Sequence, residues 1–265
     1  MKRATILIFA ALAACSSTPP KPSPAVVAEL APTGKLRAAI NFGNGVLASK
    51  DPATGEARGV SLDLSRELAK RLGVPLEIVP YAAAGRVVEA VKTGAWDVGY
   101  VAIDPVRAVD MIQSPAYVVI EGSYLVPADS PIRSNAEVDR EGIRIVVGQG
   151  SAYDLFLTRE IKRAMLVRAP TSPEVVNMML AQKLEVSAGV KQQLEADAKR
   201  VPGVRLLAGR FMTINQAMAV PRGRDAGARY VRDFIEEMKA AGFVEQALVR
   251  HNVEGAAVAG PDDPR

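Results

Sequence analysis

Short apolar runs alternate with amphipathic stretches along most of this chain. Apolar residues recur every four positions from Val60 to Leu72, a spacing that predicts one buried face of a helix. Strand–helix–strand alternation favours parallel pairing through right-handed crossovers. The same patterns predict strands at residues 36–40, 76–79, 98–103, 143–147, 166–167 and 185–188, and helices at residues 60–72, 84–93, 152–163, 173–182 and 226–241.

The order of predicted elements repeats in the second half of the chain. Residues 91–98 and 180–186 each run from a helix end through a short turn to an acidic residue and a valine that open a strand. Residues 117–126 and 213–220 are extended and hydrophobic and enclose the second set of elements. The pattern predicts two α/β lobes joined by two crossing strands.

The N-terminus has the organisation of an export signal. Lys2 and Arg3 precede an apolar run over residues 4–14, which is shorter than the roughly 20 residues that span a bilayer. The run closes on Leu-Ala-Ala-Cys15, which resembles a bacterial lipobox. We therefore expect a signal peptide over residues 1–14, a lipidated Cys15, and a periplasmic or cell-surface location with a membrane anchor. The alternative is a plain signal peptide with Cys15 free.

A Pro- and Ser-rich stretch follows the cysteine, and residues 15–34 are predicted to form the lipidated start and a flexible tether. At the other end, residues 253–265 lack apolar periodicity and are predicted to be disordered. Both expectations place the folded part of the chain between residues 35 and 252.

Composition narrows the functional classes. The 265 residues are 49% hydrophobic, which excludes wholesale disorder. One cysteine excludes an internal disulfide framework, and the single histidine, His251, argues against histidine-based metal or triad chemistry. The formal charge of +4 is not gathered into a basic block, so nucleic acid is not expected as a partner. No metal and no cofactor is expected.

One cationic residue stands where an open α/β sheet binds ligands. Asp104 and Pro105 suit the first positions of a helix that follows the strand at residues 98–103. Arg107 then lies one turn in, at the carboxyl edge of the sheet, where a guanidinium can hold a carboxylate bidentately. The alternative is a solvated Arg107 paired with Asp104.

Five segments in order resemble the family 3 bacterial extracellular solute-binding proteins, the amino-acid receptors of ABC importers. They are residues 59–64, 103–107, 114–117, 147–153 and 218–223. The resemblance covers residues 36–249. It implies an α/β, two-lobed periplasmic-binding-protein (type II) fold with two hinge strands, in which residues 35–125 plus 220–252 form lobe 1 and residues 126–219 form lobe 2.

The resemblance also implies the binding residues. Arg107 would hold the ligand carboxylate, with Tyr100 and Ala102 from the preceding strand beside it. The backbone amides of Ser151 and Ala152 would face the ligand, although Ser151 also suits a simple helix cap. The remaining candidates, from the end of the first strand, are Asn41 and Phe42; an isolated Phe is more often part of a core.

Two departures from the family pattern bear on the ligand. Asp104 stands where the family usually has Thr or Ser, so its carboxylate would pair with Arg107 or face a ligand ammonium. Val190 stands where the family's ammonium-binding Asp is expected. An amino acid is therefore one candidate, and a small carboxylate without an ammonium group is the other.

The expected function is a monomeric, lipid-anchored receptor that delivers a small carboxylate-bearing ligand to an ABC permease, without enzymatic activity. Two alternatives stay open. One is a dehydratase-like enzyme on the same scaffold, which would need a general acid beside Arg107. The other is an envelope sensing module that works without a transporter.

Overall fold

A computed structural model describes residues 21–261, so the predicted signal peptide and Cys15 lie outside the described residues. The first lobe opens with eight elements. They are α1 (Pro24–Leu30), β1 (Leu36–Asn41), the hairpin of β2 (Ser49–Lys50) and β3 (Ala57–Arg58), α2 (Val60–Leu72), β4 (Leu76–Tyr81), α3 (Ala84–Ala90) and β5 (Val98–Ala102).

The chain then crosses to the second lobe and returns. The crossing strand is β6 (Met111–Pro127) and the returning strand is β11 (Met212–Pro221). Between them lie β7 (Arg144–Gly148), α4 (Ala152–Glu160), β8 (Met165–Ala169), α5 (Val175–Ala181), β9 (Val186–Val190), α6 (Lys191–Arg200) and β10 (Val204–Leu206). After the return come α7 (Asp225–Ala240), α8 (Phe243–Arg250) and β12 (Ala257–Val258).

The strands join in the order β4-β1-β5-β11-β6-β9-β7-β8. In the first lobe β1 is parallel to β4 and β5, and in the second lobe β7 is parallel to β8 and β9. The long strands β6 and β11 pair with each other in antiparallel register between these two parallel sets. The two-lobed α/β fold with two hinge strands is therefore confirmed.

Helices cover both faces of the sheet in each lobe. The predicted apolar face of α2, from Val60 to Leu72, is buried in the main core of the first lobe together with the apolar side of α7. Trp96 fills the opposite side beneath α3. In the second lobe one apolar cluster includes Leu157 of α4, and another includes Met179 of α5. Because helices cover both faces of the sheet, the carboxyl edge of its parallel strands is where a ligand can bind.

The flexible tether predicted up to residue 34 is wrong for its later part. Ser23 caps α1, and Pro24 occupies its first turn. Val26 and Leu30 lie one turn apart and are buried against the first-lobe core, where α1 contacts α7. Because this part of the chain is rich in Pro, the composition predicted a tether and not this short amphipathic helix.

The disordered tail predicted after Asn252 is also wrong in part. Ala257 and Val258 form β12, which pairs with Val119 and Val118 of β6. An added edge strand pairs through its backbone. Its sequence therefore need not show the apolar periodicity by which a strand is predicted. Residues 262–265 lie outside the described residues.

The helix predicted from Asp104 is a single 3-10 turn, Arg107–Val109. The backbone amide of Val106 donates to Asp104 Oδ1 at 2.9 Å, so the predicted capping role of Asp104 is present in a shorter element. Within residues 21–261, no helix has both the length and the apolar content that crossing a bilayer requires.

Candidate ligand-binding site

A cavity of about 40 Å³ lies between the lobes, at the carboxyl ends of β1 and β5 and facing the N-terminus of α4. The predicted site residues that line it are Asn41, Tyr100, Ala102, Arg107, Ser151 and Ala152. Phe42 and Asp104 do not line it. The tertiary structure therefore brings together six positions that are up to 111 residues apart in the chain, counted as 152 − 41.

Arg107 is the charged residue of this cavity, and its side chain is buried. Nη1 donates to the carbonyl oxygen of Ala102 at 3.0 Å, and Nη2 donates to the carbonyl oxygen of Gly150 at 2.9 Å. Nε is buried and has no hydrogen-bond partner. The predicted alternative of a solvated Arg107 paired with Asp104 is wrong, because this guanidinium bonds to backbone carbonyls of both lobes.

Burial lowers the pKa of Arg107 to about 10, and the nearby negative charge of Asp104 opposes this shift. The guanidinium is therefore still positively charged at neutral pH. Burying a cation with an unpartnered N–H is costly, and an anion placed against it lowers that cost.

Arg222, at the end of the return strand, fixes the turn that carries Arg107. Its guanidinium donates to the carbonyl oxygens of Ala108 and Val109, the latter at 2.8 Å, and its backbone amide donates to Asp110. The carbonyls that a short turn leaves free are thereby satisfied. Arg222 is thus a positioning residue for the turn.

Asp104 is buried, but its carboxylate faces the second lobe. Oδ2 accepts from Nη2 of Arg159 at 3.0 Å, an ion pair that joins the 3-10 turn to α4. Phe42 packs against the first-lobe core, with Nζ of Lys50 at 5.4 Å from its ring centroid. The reading of Phe42 as a core residue is the one that the packing favours.

Ser151 caps α4, since its Oγ accepts from the amide of Asp154 at 3.0 Å. Its own amide donates to the carbonyl oxygen of Gly148 at 3.0 Å and is thereby engaged within the turn. The amide of Ala152 lies in the first helical turn, where amides have no intrahelical partner. The helix dipole adds partial positive charge at this end, so both lobes present positive potential to the cavity.

Several lining residues were not identified from the sequence. Gln216 lies opposite Ala102 in the register of β11 and β5, and the hydroxyl of Tyr153 donates to Ser172 at 2.8 Å. A polar Gln directly before the apolar run of residues 217–220 was the available signal for Gln216. The lining residues that sequence reasoning did not single out are Gly43, Ala84, Val101, Tyr153, Ser172, Ile214 and Gln216.

A larger cavity of about 380 Å³ lies between the β2–β3 hairpin and α6. It is open to solvent and lined by charges of both signs, among them Arg58, Glu195 and Lys199. Because these side chains are solvated, the groove offers less specific recognition than the enclosed site around Arg107. Within the described range, no group of three or more His, Cys, Asp or Glu side chains is arranged to hold a metal ion.

This chain is similar to solved structures of binding proteins. The solute receptor for L-cysteine of Neisseria gonorrhoeae is 23% identical, with a TM-score of 0.75 over 86% of this chain and 94% of that chain. A binding component of an ABC transporter from Wolinella succinogenes, complexed with lysine, is 22% identical, with a TM-score of 0.71 over 82% and 95% of the two chains.

An ancestral amino-acid-binding protein, a precursor of cyclohexadienyl dehydratase, is 21% identical, with a TM-score of 0.72 over 84% of this chain and 98% of that chain. No curated protein sequence matches this chain. At the level of sequence, residues 48–252 match the bacterial extracellular solute-binding proteins, family 3. This match covers most of the chain and agrees with the fold, and the chain belongs to that family.

Proposed function

We propose that this protein is the solute receptor of an ABC importer and that it captures a small carboxylate-bearing molecule between its lobes. Arg107 holds the carboxylate in this proposal. The observation that carries it is a buried, charged guanidinium with an unpartnered Nε in a cavity between two hinged lobes. A guanidinium has five N–H donors, of which two are used here, and a carboxylate is the acceptor that fits those left over.

The second lobe completes the site. The Ala152 amide and the N-terminal end of α4 favour the same negative charge from the opposite side. A ligand held by Arg107 and by α4 interacts with both lobes at once. Its binding energy therefore shifts the population toward the closed form, as expected for a receptor that traps its ligand.

The transport setting is the part of the proposal that comes from the N-terminus and the family. An export signal with Cys15 as lipid attachment site would hold a monomeric receptor at the membrane, beside an ABC permease. We assign residues 35–125 plus 220–252 to the first lobe and residues 126–219 to the second, and α1 and β12 extend the first lobe. The two core clusters beside α4 and α5 support that division.

Isothermal titration of the purified protein against amino acids and small organic acids tests the proposal. Arg107→Ala is expected to weaken binding by at least about 100-fold, because a charge-assisted bidentate contact is lost. Arg107→Lys keeps the charge without the fork and is expected to lie between. Arg140→Ala removes an exposed arginine that pairs with Glu137 at 3.7 Å and serves as the control. Unchanged affinity in Arg107→Ala would contradict the proposal.

Neither alternative has a comparable observation behind it. A dehydratase needs a general acid beside Arg107. The carboxylate of Asp104 is instead paired with Arg159. A sensing module would share the binding step and differ in its partner. Ligand uptake by cells that lack this protein, compared with cells that carry it, distinguishes a transporter receptor from such a module.

A further inference from the structure

The charges around the inner cavity are strongly one-sided. Among the described residues that line it, Arg107 is the only one with a charged side chain. An adjoining pocket, which shares Asn44 and Val190 with it, has no charged lining residue within the described part of the chain. The two pockets together therefore present one positive charge, which a single negative charge on a ligand would balance.

The acidic residues near this space are already paired. Asp104 bonds to Arg159 at 3.0 Å, and Asp154 pairs with Arg168 at 3.0 Å while accepting from the amide of Gly150. Glu121, from the strand segment beside Val190, bonds to Lys191 and Arg210 at 3.3 and 2.8 Å. Each of these three carboxylates already has a cationic partner, so none of them is free to neutralise a cationic group of a ligand.

Two backbone carbonyls of the site already accept hydrogen bonds from Arg107. The carbonyl oxygen of Ala102 accepts from Arg107 at 3.0 Å and from Nε2 of Gln113 at 2.8 Å, which uses both lone pairs. The carbonyl oxygen of Gly150 accepts from Arg107. An ammonium group has three N–H donors, and stripping it of water without acceptors costs several kcal/mol.

Carboxamide side chains supply neutral acceptors to the cavity, among them those of Asn44 and Gln216. Oδ1 of Asn44 is buried and has no hydrogen-bond partner. A carboxamide oxygen suits a single hydroxyl donor. If the oxygen and nitrogen of this side chain exchanged positions, the side chain would still be uncharged. Two residues of the lining thus carry a buried, unpartnered atom of opposite kind, the Nε donor of Arg107 and the Oδ1 acceptor of Asn44.

We infer that the ligand is a small hydroxycarboxylate rather than an amino acid, with its carboxylate on Arg107 and its hydroxyl on Asn44. This inference rests on the proposed function and narrows its ligand class. The cavity measures about 40 Å³, so small hydroxy acids are the first ligands to test. Val190 closes the cavity with an apolar wall where an ammonium would need an anion.

Matched pairs that differ in one functional group test the inference. Glycolate against glycine, and L- and D-lactate against L- and D-alanine, are titrated into the purified protein. At least one hydroxy acid is expected to bind 10-fold or more tightly than its amino counterpart. Asn44→Ala is expected to reduce that preference, and Asn44→Asp to abolish hydroxy-acid binding by repelling the carboxylate.

Val190→Asp supplies the missing anion and is expected to bring alanine binding within reach, whereas the uncharged, equally large Val190→Asn is not. The melting temperature of each variant shows whether it is folded. The comparison of hydroxy acids with amino acids on the wild-type protein does not depend on the variants. An amino acid that binds as tightly as its hydroxy acid, and loses affinity in Arg107→Ala, overturns this inference and leaves the proposed function standing. Failure of every amino acid and organic acid to bind overturns both.

Discussion

The guanidinium of Arg107 in the first lobe donates from Nη2 to the carbonyl oxygen of Gly150 in the second lobe at 2.9 Å. The residue proposed to hold the ligand is therefore also a contact between the lobes. Ligand capture and lobe closure share one side chain, so a ligand that takes up its remaining N–H donors stabilises the arrangement in which the lobes meet.

Gly85 in α3 meets the second lobe without a side chain, and this close approach predicts a wedge variant. A Cβ at Gly85 would lie 3.3 Å from the carbonyl oxygen of Gln149 and from Cα of Gly150. Gly85→Leu is expected to hold the lobes apart, because backbone atoms cannot move aside as a flexible side chain can. If the closed population falls to about one tenth, ligand affinity falls about 10-fold.

Small-angle X-ray scattering and titration together check this wedge. The radius of gyration should increase in Gly85→Leu while the melting temperature shows a folded protein. Gly260→Leu is the matched control, because nothing lies within 4 Å of a Cβ at Gly260. Identical scattering and affinity for the wedge, its control and the wild type would rule out Gly85 as a closure contact.

The ion pair between Asp104 and Arg159 joins the lobes outside the cavity lining. Arg159→Ala would leave the buried Asp104 carboxylate without its partner in the closed form, which favours opening. Because the Arg159 side chain is 39% exposed, we expect a loss of ligand affinity of only about 3- to 10-fold. Titration calorimetry measures it, and Arg159→Lys should restore part of the loss. Full affinity in Arg159→Ala would show that this pair does not support closure.

Asp97 is expected to be a main determinant of stability in the first lobe. Its fully buried carboxylate accepts from Arg37 and from Arg224, both at 2.8 Å, and so ties β1 to the segment before α7. Asp97→Ala leaves two cations without their anion and is expected to lower the free energy of unfolding by about 3–5 kcal/mol, measured by urea denaturation. Glu77→Gln, in an exposed pair with Lys35, should change it by less than about 0.5 kcal/mol. Similar values for the two variants would contradict this ranking.

The pair between Arg71 of α2 and Glu237 of α7 predicts a pH-dependent contribution. Bonding to Arg71 lowers the pKa of Glu237 below its ordinary value of 4.5. Since the pKa is lower in the folded state, the stabilisation is complete above the unfolded-state pKa and is lost as the pH falls through the folded-state pKa. Solvent screens the carboxylate, which is 44% exposed, so about 1 kcal/mol or less is expected.

Urea denaturation of the wild type and Glu237→Gln at pH 7 and at about pH 3 measures this contribution. The stability difference should be present at the higher pH and smaller at the lower one. A difference that stays constant, or grows on acidification, would mean that Glu237 acts through packing and not through its charge.

Local patterns in the sequence were sufficient for many of the regular elements, but α1, α6, α8 and β12 were not predicted. The apolar face of α2 and the apolar runs of β1 and β7 depend on spacing that neighbouring residues set by themselves, so their positions agree with the structure within a few residues. The resemblance and the position of Arg107 after a strand likewise placed this residue at the sheet edge. Residues 24–34 were predicted wrongly from the local sequence. The α1 helix is stabilised by burying Leu30 against residues of the first lobe that are distant in the chain.

By itself, the sequence determined most of the alternating strands and helices, the two-lobed fold and the cationic candidate Arg107. Only the tertiary structure decided that Asp104 pairs with Arg159, that Asn44 and Val190 line the cavity with Arg107, and how small that cavity is. The physical reason is that periodicity reports which face of an element is buried, whereas the partner of a polar side chain depends on groups brought close by folding. Charge pairing across the lobes decides which groups remain for a ligand, and it follows from distances that no single stretch of sequence contains.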